Sequence, residues 1–346
     1  MERDSFRSRR GFIIACIGSA VGMGNIWLFP ARVSALGGAA FLIPYFICVA
    51  LIGFTGVVGE MAFGRAMGTG PMGAFGMAAE RRGKSKGLGE ALAMVPVLCS
   101  FALAIGYSVV VGWILKYLFS AAGGSLFAAE GVEELGSMFD DVASSFGNVV
   151  WHIVALAATF VIMIYGISSG IEKANKVMMP LFFLMFIGMA IYIATLPGAS
   201  EGYRYLTNPD WKVLAEPKTW IYALGQAFFS LSLAGSGTLV YGSYLKKNED
   251  IPFCARNVAI WDTMAALVAA LTIIPAMATV FLQMPGGRIV IVIFFMAVTF
   301  AGITSLVNLF ETPVEALQSK FGFSRKKAVA VVGITGSTVA LCIEGI

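Results

Sequence analysis

Two apolar stretches of this chain are opened near their middles by glycines and hydroxyl residues. The first reads Gly18-Ser-Ala-Val-Gly-Met-Gly-Asn-Ile-Trp-Leu-Phe-Pro30, the second Phe228-Phe-Ser-Leu-Ser-Leu-Ala-Gly-Ser-Gly237. Glycine inside a helix costs about 1 kcal/mol relative to alanine. In a hydrocarbon layer an opened backbone costs more, because its freed N–H and C=O groups find no water. Such breaks are suited to ligand binding: half-helix N-termini offer N–H groups to an anion, and half-helix C-termini and unwound carbonyls offer oxygens to a cation. Three ionisable groups, Glu60, Asp262 and Glu311, lie in or near other apolar runs. Ionisable groups in such runs mark ion or substrate routes unless they serve as structural partners. Asp262, deep in its run, reads as functional. Glu60, close to Arg65, reads equally as either, and Glu311 reads first as structural. Thr304 and Ser305 are adjacent hydroxyls on an apolar helix. Alone they read as packing hydroxyls; next to an unwound stretch they become oxygen ligands for a hard cation such as sodium.

Other chemistry is poorly supported. Gly22-Met-Gly-Asn25 is not a dinucleotide fingerprint, because Trp27 stands at the third glycine position and no strand precedes it. The pair Gly18 and Gly22 reads as a helix-packing spacing. Cys16, Cys48, Cys99, Cys254 and Cys342 are scattered, without a CxxC pair, and read as small apolar residues. His152 is the single histidine, which argues against a histidine-based metal site or triad. No nucleophile–base pair is visible, so the chain does not read as an enzyme. No organic cofactor and no nucleic-acid partner are expected.

These groups must be positioned by membrane-spanning helices. The chain has 346 residues, 58% hydrophobic and 13% charged, with mean hydropathy +0.83. Soluble domains carry about 25% charge, so an integral membrane protein is expected. Nine runs are long and apolar enough to be candidate spans, at residues 11–31, 33–59, 91–115, 142–171, 177–200, 219–245, 257–284, 289–310 and 328–343. The first is long, lacks a small-residue cleavage pattern and carries a break, so no cleavable leader is expected. Residues 66–90 and 198–218 are the long connections, and Pro209-Asp-Trp211 and Pro217-Lys-Thr-Trp220 in the latter suggest short surface helices. Breaks at corresponding places in two halves of a membrane chain point to the binding site of a transporter.

Every second loop is basic. Arg3, Arg7, Arg9 and Arg10 precede the first span; Arg65, Arg81, Arg82, Lys84 and Lys86 follow the second; Lys173 and Lys176 follow the fourth; Lys246, Lys247 and Arg256 follow the sixth; Lys320, Arg325, Lys326 and Lys327 precede the ninth. The loop after the third span is acidic, with Glu130, Glu133, Glu134, Asp140 and Asp141. The positive-inside rule then places the N-terminus in the cytoplasm of a multi-pass plasma-membrane protein.

At the level of motifs, the chain resembles the neurotransmitter:sodium symporter family, bacterial branch. The resemblance rests on Gly18-Ser-Ala-Val-Gly-Met-Gly-Asn-Ile-Trp27, Phe29-Pro30, Gly37-Gly38, Phe41-Leu-Ile-Pro-Tyr45 and Gly59-Glu-Met-Ala-Phe-Gly-Arg65. It continues through Gly166-Ile-Ser-Ser-Gly-Ile-Glu-Lys173, Gly225-Gln-Ala-Phe-Phe-Ser-Leu-Ser-Leu233, Tyr241-Gly-Ser-Tyr244, Trp261-Asp-Thr263 and Ala301-Gly-Ile-Thr-Ser305. It implies an all-α integral membrane protein with the inverted-repeat, five-plus-five-helix transporter fold and broken helices 1 and 6. The first repeat would span residues 1–200 and an incomplete second repeat residues 201–346. It implies two sodium sites. One would use carbonyls of Gly18, Val21 and Ala301 with the hydroxyls of Thr304 and Ser305. The other would use the Ala20 carbonyl with Asn25, Ser230 and Asp262. The substrate site would be formed by Ala20, Gly22, Met23, Gly24, Leu103, Tyr107, Phe229, Ser230, Ser232, Gly235, Ser305 and Leu309. Tyr107 would bind a substrate carboxylate and Phe229 would close over the substrate; Trp113 matches a family tryptophan without a site role.

The departures from the pattern are specific. Leu28 stands where the family usually has an outer-gate arginine, whose partner lies on a tenth helix absent here. An inner-gate arginine aligns with Arg3, but its acidic partner aligns with Ser319. A folded extracellular lid between helices 7 and 8 and helices 10–12 are also absent. The implied function is sodium-coupled import of a small zwitterion, a hydrophobic or aromatic amino acid, across the lipid bilayer. The rival reading is a non-cycling binding or scaffold protein derived from such a transporter. Gly235 aligns where members place a bulky apolar side chain, which would enlarge the pocket toward large substrates unless Met23 or Leu309 fills the space.

The charge alternation makes a direct prediction. A cysteine placed at Arg82 in a thiol-free background should react with impermeant reagents only from the cytoplasmic side, and one at Glu133 only from outside. The reverse pattern would overturn the topology.

Overall fold

The computed structural model describes residues 5–128, 131–233, 235–279 and 286–345. Arg3 and Glu130, singled out above, lie outside the described residues, as does Ala234 of the second break. All regular structure among the described residues is helical. Ser8 caps α1 (Arg9–Ala20) by accepting the Gly11 N–H, and after a gap a π-helical turn, Gly24–Leu28, leads into α2 (Phe29–Ala35). A continuous span, Gly38–Met67, contains α3 (Leu42–Cys48) and α4 (Phe54–Met67), joined by a second π-helical turn. Then follow α5 (Pro71–Arg81), α6 (Lys86–Gly123), α7 (Val132–Ala143), α8 (Val149–Ile164) and α9 (Glu172–Ala194). The remainder comprises α10 (Ala199–Thr207), α11 (Pro217–Ser230), α12 (Gly237–Ser243), α13 (Ile251–Thr279), α14 (Gly287–Phe321) and α15 (Arg325–Glu344).

Six continuous helices among the described residues are long and apolar enough to cross a membrane, and α1 with the run ending at Ala35 makes a seventh, bent by 53°. The shorter apolar helix α8 and the split pair α11/α12 occupy the two remaining expected runs. All nine runs thus carry helix, the first and sixth of them interrupted at their centres. Large apolar side chains such as Leu51, Leu184, Ile221 and Ile334 point outward from the bundle, as lipid-facing positions should.

The boundaries differ in two places. The run 142–171 is not one span: α8 stops at Ile164, and Ile167–Ile171 forms the first turn of the next span, Ile167–Ala194. Gly166 separates them with φ 89°, a conformation that glycine adopts without the steric cost of a β-carbon. The connection 66–90 contains a helix, α5, which packs against α6 and is begun by Pro71 at its first position. Its glycine-rich sequence hid that helix.

Both expected breaks are present. The backbone leaves α1 at Val21, which is extended with ψ 110°. Between α11 and α12, Ser232 and Ser236 have φ 55° and 59°. This left-handed region costs an L-residue about 1–2 kcal/mol, so tertiary contacts must hold it there.

Small residues and buried ion pairs bind the helices. A β-carbon on Gly64 of α4 would strike the Leu239 carbonyl of α12, and one on Gly242 would meet the Met61 backbone at 2.6 Å. The two helices therefore touch backbone to backbone, the close approach that small residues permit in membranes. Glu311, fully buried on α14, accepts two hydrogen bonds from the Arg325 guanidinium at 2.7 and 2.8 Å and one from the Tyr244 hydroxyl at 2.9 Å. That is the structural role read first for it. Glu60 accepts from the Thr238 hydroxyl, tying α4 to α12 a second time. Gly64→Ala should lower unfolding stability in detergent by about 1–3 kcal/mol, the range for overpacking. An unchanged melting temperature would show that α4 and α12 do not meet this closely.

Candidate functional site

The two breaks face each other, and polar side chains from α6, α13 and α14 fill the space around them. Asn25, Ser230 and Asp262 are buried together. Asn25 Nδ2 lies 2.8 Å from Asp262 Oδ1, 3.0 Å from the Asp262 carbonyl and 3.1 Å from Ser230 Oγ, donating toward each. The Ser230 hydroxyl donates to Asp262 Oδ2 at 2.7 Å, and Asn25 Oδ1 accepts the Gly22 N–H at 3.0 Å. Asp262 is thus a buried carboxylate whose hydrogen-bond partners among the described residues, Asn25 and Ser230, are uncharged. Burying an ionised carboxylate without a countercharge is costly, so these residues could hold a cation here. The oxygens of a carboxylate, a hydroxyl and an amide suit a hard cation.

A second cluster forms where α14 crosses the end of α1. Ser305 Oγ is 3.1 Å from the Val21 carbonyl, 3.4 Å from that of Ser19 and 3.5 Å from that of Gly18. Thr304 precedes it, with its hydroxyl donating to the Phe300 and Ala301 carbonyls of its own helix at 3.0 and 3.1 Å. Gly18, Val21, Ala301, Thr304 and Ser305 therefore come together, although Thr304 is turned back onto α14. Gly18 also serves packing: a β-carbon there would run into Asn175 and Met179 of α9.

Ser305 of the second cluster, and Gly24 and Phe229 next in sequence to Asn25 and Ser230 of the first, line a cavity of about 90 Å³. Eleven of the twelve residues expected at the substrate site line it: Ala20, Gly22, Met23, Gly24, Leu103, Tyr107, Phe229, Ser232, Gly235, Ser305 and Leu309. The twelfth, Ser230, sits outside this lining, bonded into the Asn25–Asp262 group. The Tyr107 hydroxyl accepts the Met23 N–H at 3.0 Å, which satisfies a donor freed by the break. Gly22 leaves room for this: a β-carbon there would lie 2.5 Å from the Tyr107 hydroxyl and 2.6 Å from Ser305 Oγ. The Phe229 ring packs over Gly24, and a β-carbon on Gly235 would meet nothing within 4 Å.

Four lining residues escaped the sequence reading: Ser19, Leu233, Gly237 and Asn308. Asn308 follows Ser305 by three positions, so helical spacing could have flagged it. Arg32 was missed too. It lies one turn beyond Leu28, donates to Gln226 Oε1 at 2.6 Å and stacks on Tyr222, while Gln226 Nε2 donates to the Gly24 carbonyl at 2.8 Å. A guanidinium is therefore present beside the break despite Leu28.

Known proteins share this fold. The profile of the Sodium:neurotransmitter symporter family matches residues 3–134 and 126–281. The chain belongs to this family. It is 32% identical over 339 residues to YhdH of Bacillus subtilis, named as an uncharacterized sodium-dependent transporter, covering 92% of this chain and 74% of that protein. It is 28% identical over 298 residues to the human inactive sodium-dependent neutral amino acid transporter B(0)AT3, covering 79% of this chain and 46% of that protein. The crystal structure of MhsT in complex with L-phenylalanine superposes with TM-score 0.88 at 36% identity, covering 99% of this chain and 81% of that one. This family member is accordingly a multi-pass membrane protein of a sodium-dependent transporter family, with the all-helical fold of MhsT.

The Tyr107 contact is testable without ligand. Tyr107→Phe leaves the Met23 N–H unpartnered, and an unsatisfied buried donor costs about 1–3 kcal/mol. The variant should melt lower by that equivalent; identical melting would show that the hydroxyl does not hold the break.

Proposed function

We propose that this symporter-family protein couples sodium entry to the import of a small zwitterion, a hydrophobic or aromatic amino acid, by alternating access. The observation that carries the reading is that two oxygen-rich clusters and one cavity are built on the same broken helix, with Ser305 belonging both to a cluster and to the cavity lining. Sodium at Gly18, Val21, Ala301, Thr304 and Ser305 would tie α14 to the end of α1. Sodium at Ala20, Asn25, Ser230 and Asp262 would neutralise the buried carboxylate. Tyr107 and the freed N–H groups near Gly22–Gly24 would take the substrate carboxylate. Each ligand orders the backbone that the other uses, so each raises the other's affinity.

Two observations support a large apolar side chain on the substrate. The space beside Gly235 is not filled by Met23 or Leu309, and voids forfeit dispersion contacts that a ring would recover. The related MhsT was crystallised with L-phenylalanine. The basic loops support a cytoplasmic N-terminus, and residues 1–200 and 201–346 would form the two inverted repeats.

Uptake of labelled L-phenylalanine into proteoliposomes tests the whole reading. An inward sodium gradient should drive accumulation and a potassium gradient should not. Thr304→Ala with Ser305→Ala should raise the half-saturating sodium concentration about tenfold or more, equivalent to about 1.4 kcal/mol. Sodium-dependent binding without uptake would favour a non-cycling protein, and glycine or alanine outcompeting phenylalanine would overturn the size preference.

A further inference from the structure

His152 lies away from the cavity, buried in the first turn of α8. Its Nδ1 is 2.6 Å from Glu344 Oε2 on α15, and its Nε2 is 2.8 Å from Ser108 Oγ on α6. The Ser108 hydroxyl is also 2.6 Å from the Ile105 carbonyl. The other Glu344 oxygen accepts the Asn148 N–H at 3.1 Å. Gly112, one turn beyond Ser108, lets α8 approach: a β-carbon there would meet His152 Cα at 2.8 Å and Asn148 Nδ2 at 2.5 Å. Asn148 is 1% exposed, and neither end of its side-chain amide has a hydrogen-bond partner among the described residues.

Serine, histidine and a carboxylate in this order match the groups of a nucleophilic triad. Yet Ser108 and His152 are fully buried, and neither lines the cavity beside Tyr107, so a substrate acyl group has no approach. A proton needs none. An ionised carboxylate only accepts, so Nδ1 carries a hydrogen toward Glu344. The Ser108 hydroxyl has one hydrogen and two acceptors in reach, Nε2 and the Ile105 carbonyl. With Nε2 protonated, Nε2–H donates to Ser108 Oγ and the hydroxyl donates to Ile105. With Nε2 bare, the hydroxyl must turn and donate to Nε2.

We propose that Ser108, His152 and Glu344 form a buried proton-binding site, in which His152 Nε2 gains and loses the proton and the Ser108 hydroxyl turns to follow it. Proton uptake makes an imidazolium–carboxylate pair; proton loss leaves Glu344 charged against neutral donors. The site thus sets how firmly the ends of α8 and α15 are bound to α6, the helix that carries Tyr107 on the adjacent position. Charged groups on the neighbouring elements are engaged elsewhere or lie outside the bundle. Lys116 of α6 donates to the Gly147 carbonyl, Arg288 of α14 to the Ala122 carbonyl, and Asp140 and Asp141 of α7 are exposed. Arg325, at the far end of α15, is bound to Glu311.

Because His152 is the chain's single histidine, nitrogen-15 labelling of histidine reports this imidazole alone. In the intact protein, titrated from about pH 5 to about pH 9, across the range where histidine ordinarily changes charge, Nδ1 should stay protonated throughout. Nε2 should be protonated at the acid end and bare at the alkaline end. In Glu344→Gln the doubly protonated ring should be absent from the same range. An imidazole that keeps one state across the range overturns the proposal, as does proton loss from Nδ1 or an unchanged titration in Glu344→Gln. The wild-type titration decides the matter even if the variant does not fold.

Discussion

A backbone N–H or C=O freed inside a hydrocarbon layer has no water to turn to, and each must be given a partner by the protein. Two helix breaks at mid-bundle therefore dictate what surrounds them. Tyr107 takes the Met23 N–H, Asn25 takes the Gly22 N–H, and Gln226 serves the Gly24 carbonyl. Ser232 donates to the Ser19 carbonyl and Ser305 to that of Val21. Most of the polar residues around the cavity are accounted for in this way. Several of the groups that satisfy the broken backbone are the ones proposed to present oxygens to an ion, so a ligand entering here would exchange bonds with the fold itself.

That economy explains why the clusters sit on separate helices. A cation held as proposed by α1 carbonyls and the Ser305 hydroxyl would link α1 to α14; one held by Asn25, Ser230 and Asp262 would link the first break to the second and to α13. Neither cluster is complete on one element. On that proposal, ligand occupancy and helix arrangement would be coupled through differential contacts rather than through a distant relay.

At the basic end of the bundle the half-helices are held by a different kind of contact. Glu172 of α9 accepts the Arg7 N–H at 2.7 Å and the Ser8 hydroxyl at 3.2 Å, and Arg9 pairs with Glu249. Thr238 of α12 is bonded to Glu60. Glu172 is buried, whereas Arg9 is exposed, and exposed ion pairs are worth little individually; Gly64 and Gly242 lock α12 to α4 by direct backbone contact.

The amino-acid sequence by itself determined the spans, the two breaks and the kinds of residue around them. These follow from hydropathy, glycine content and helical spacing, which are local along the chain. Asp262 reads as anomalous because a carboxylate within an apolar run needs a reason, and the motifs around it carried the family. What the tertiary structure decided depends on helix–helix packing. Gly166 divides a run that looks continuous because the division lies in a dihedral angle, not in hydropathy. Arg32 reaches Gln226, 194 positions away, by lying one helical turn past Leu28. His152, with nothing in its neighbourhood to recommend it, finds Ser108 and Glu344 at separations of 44 and 192 residues. Contacts of that range are set by which helix faces meet, and no periodicity within one segment encodes them.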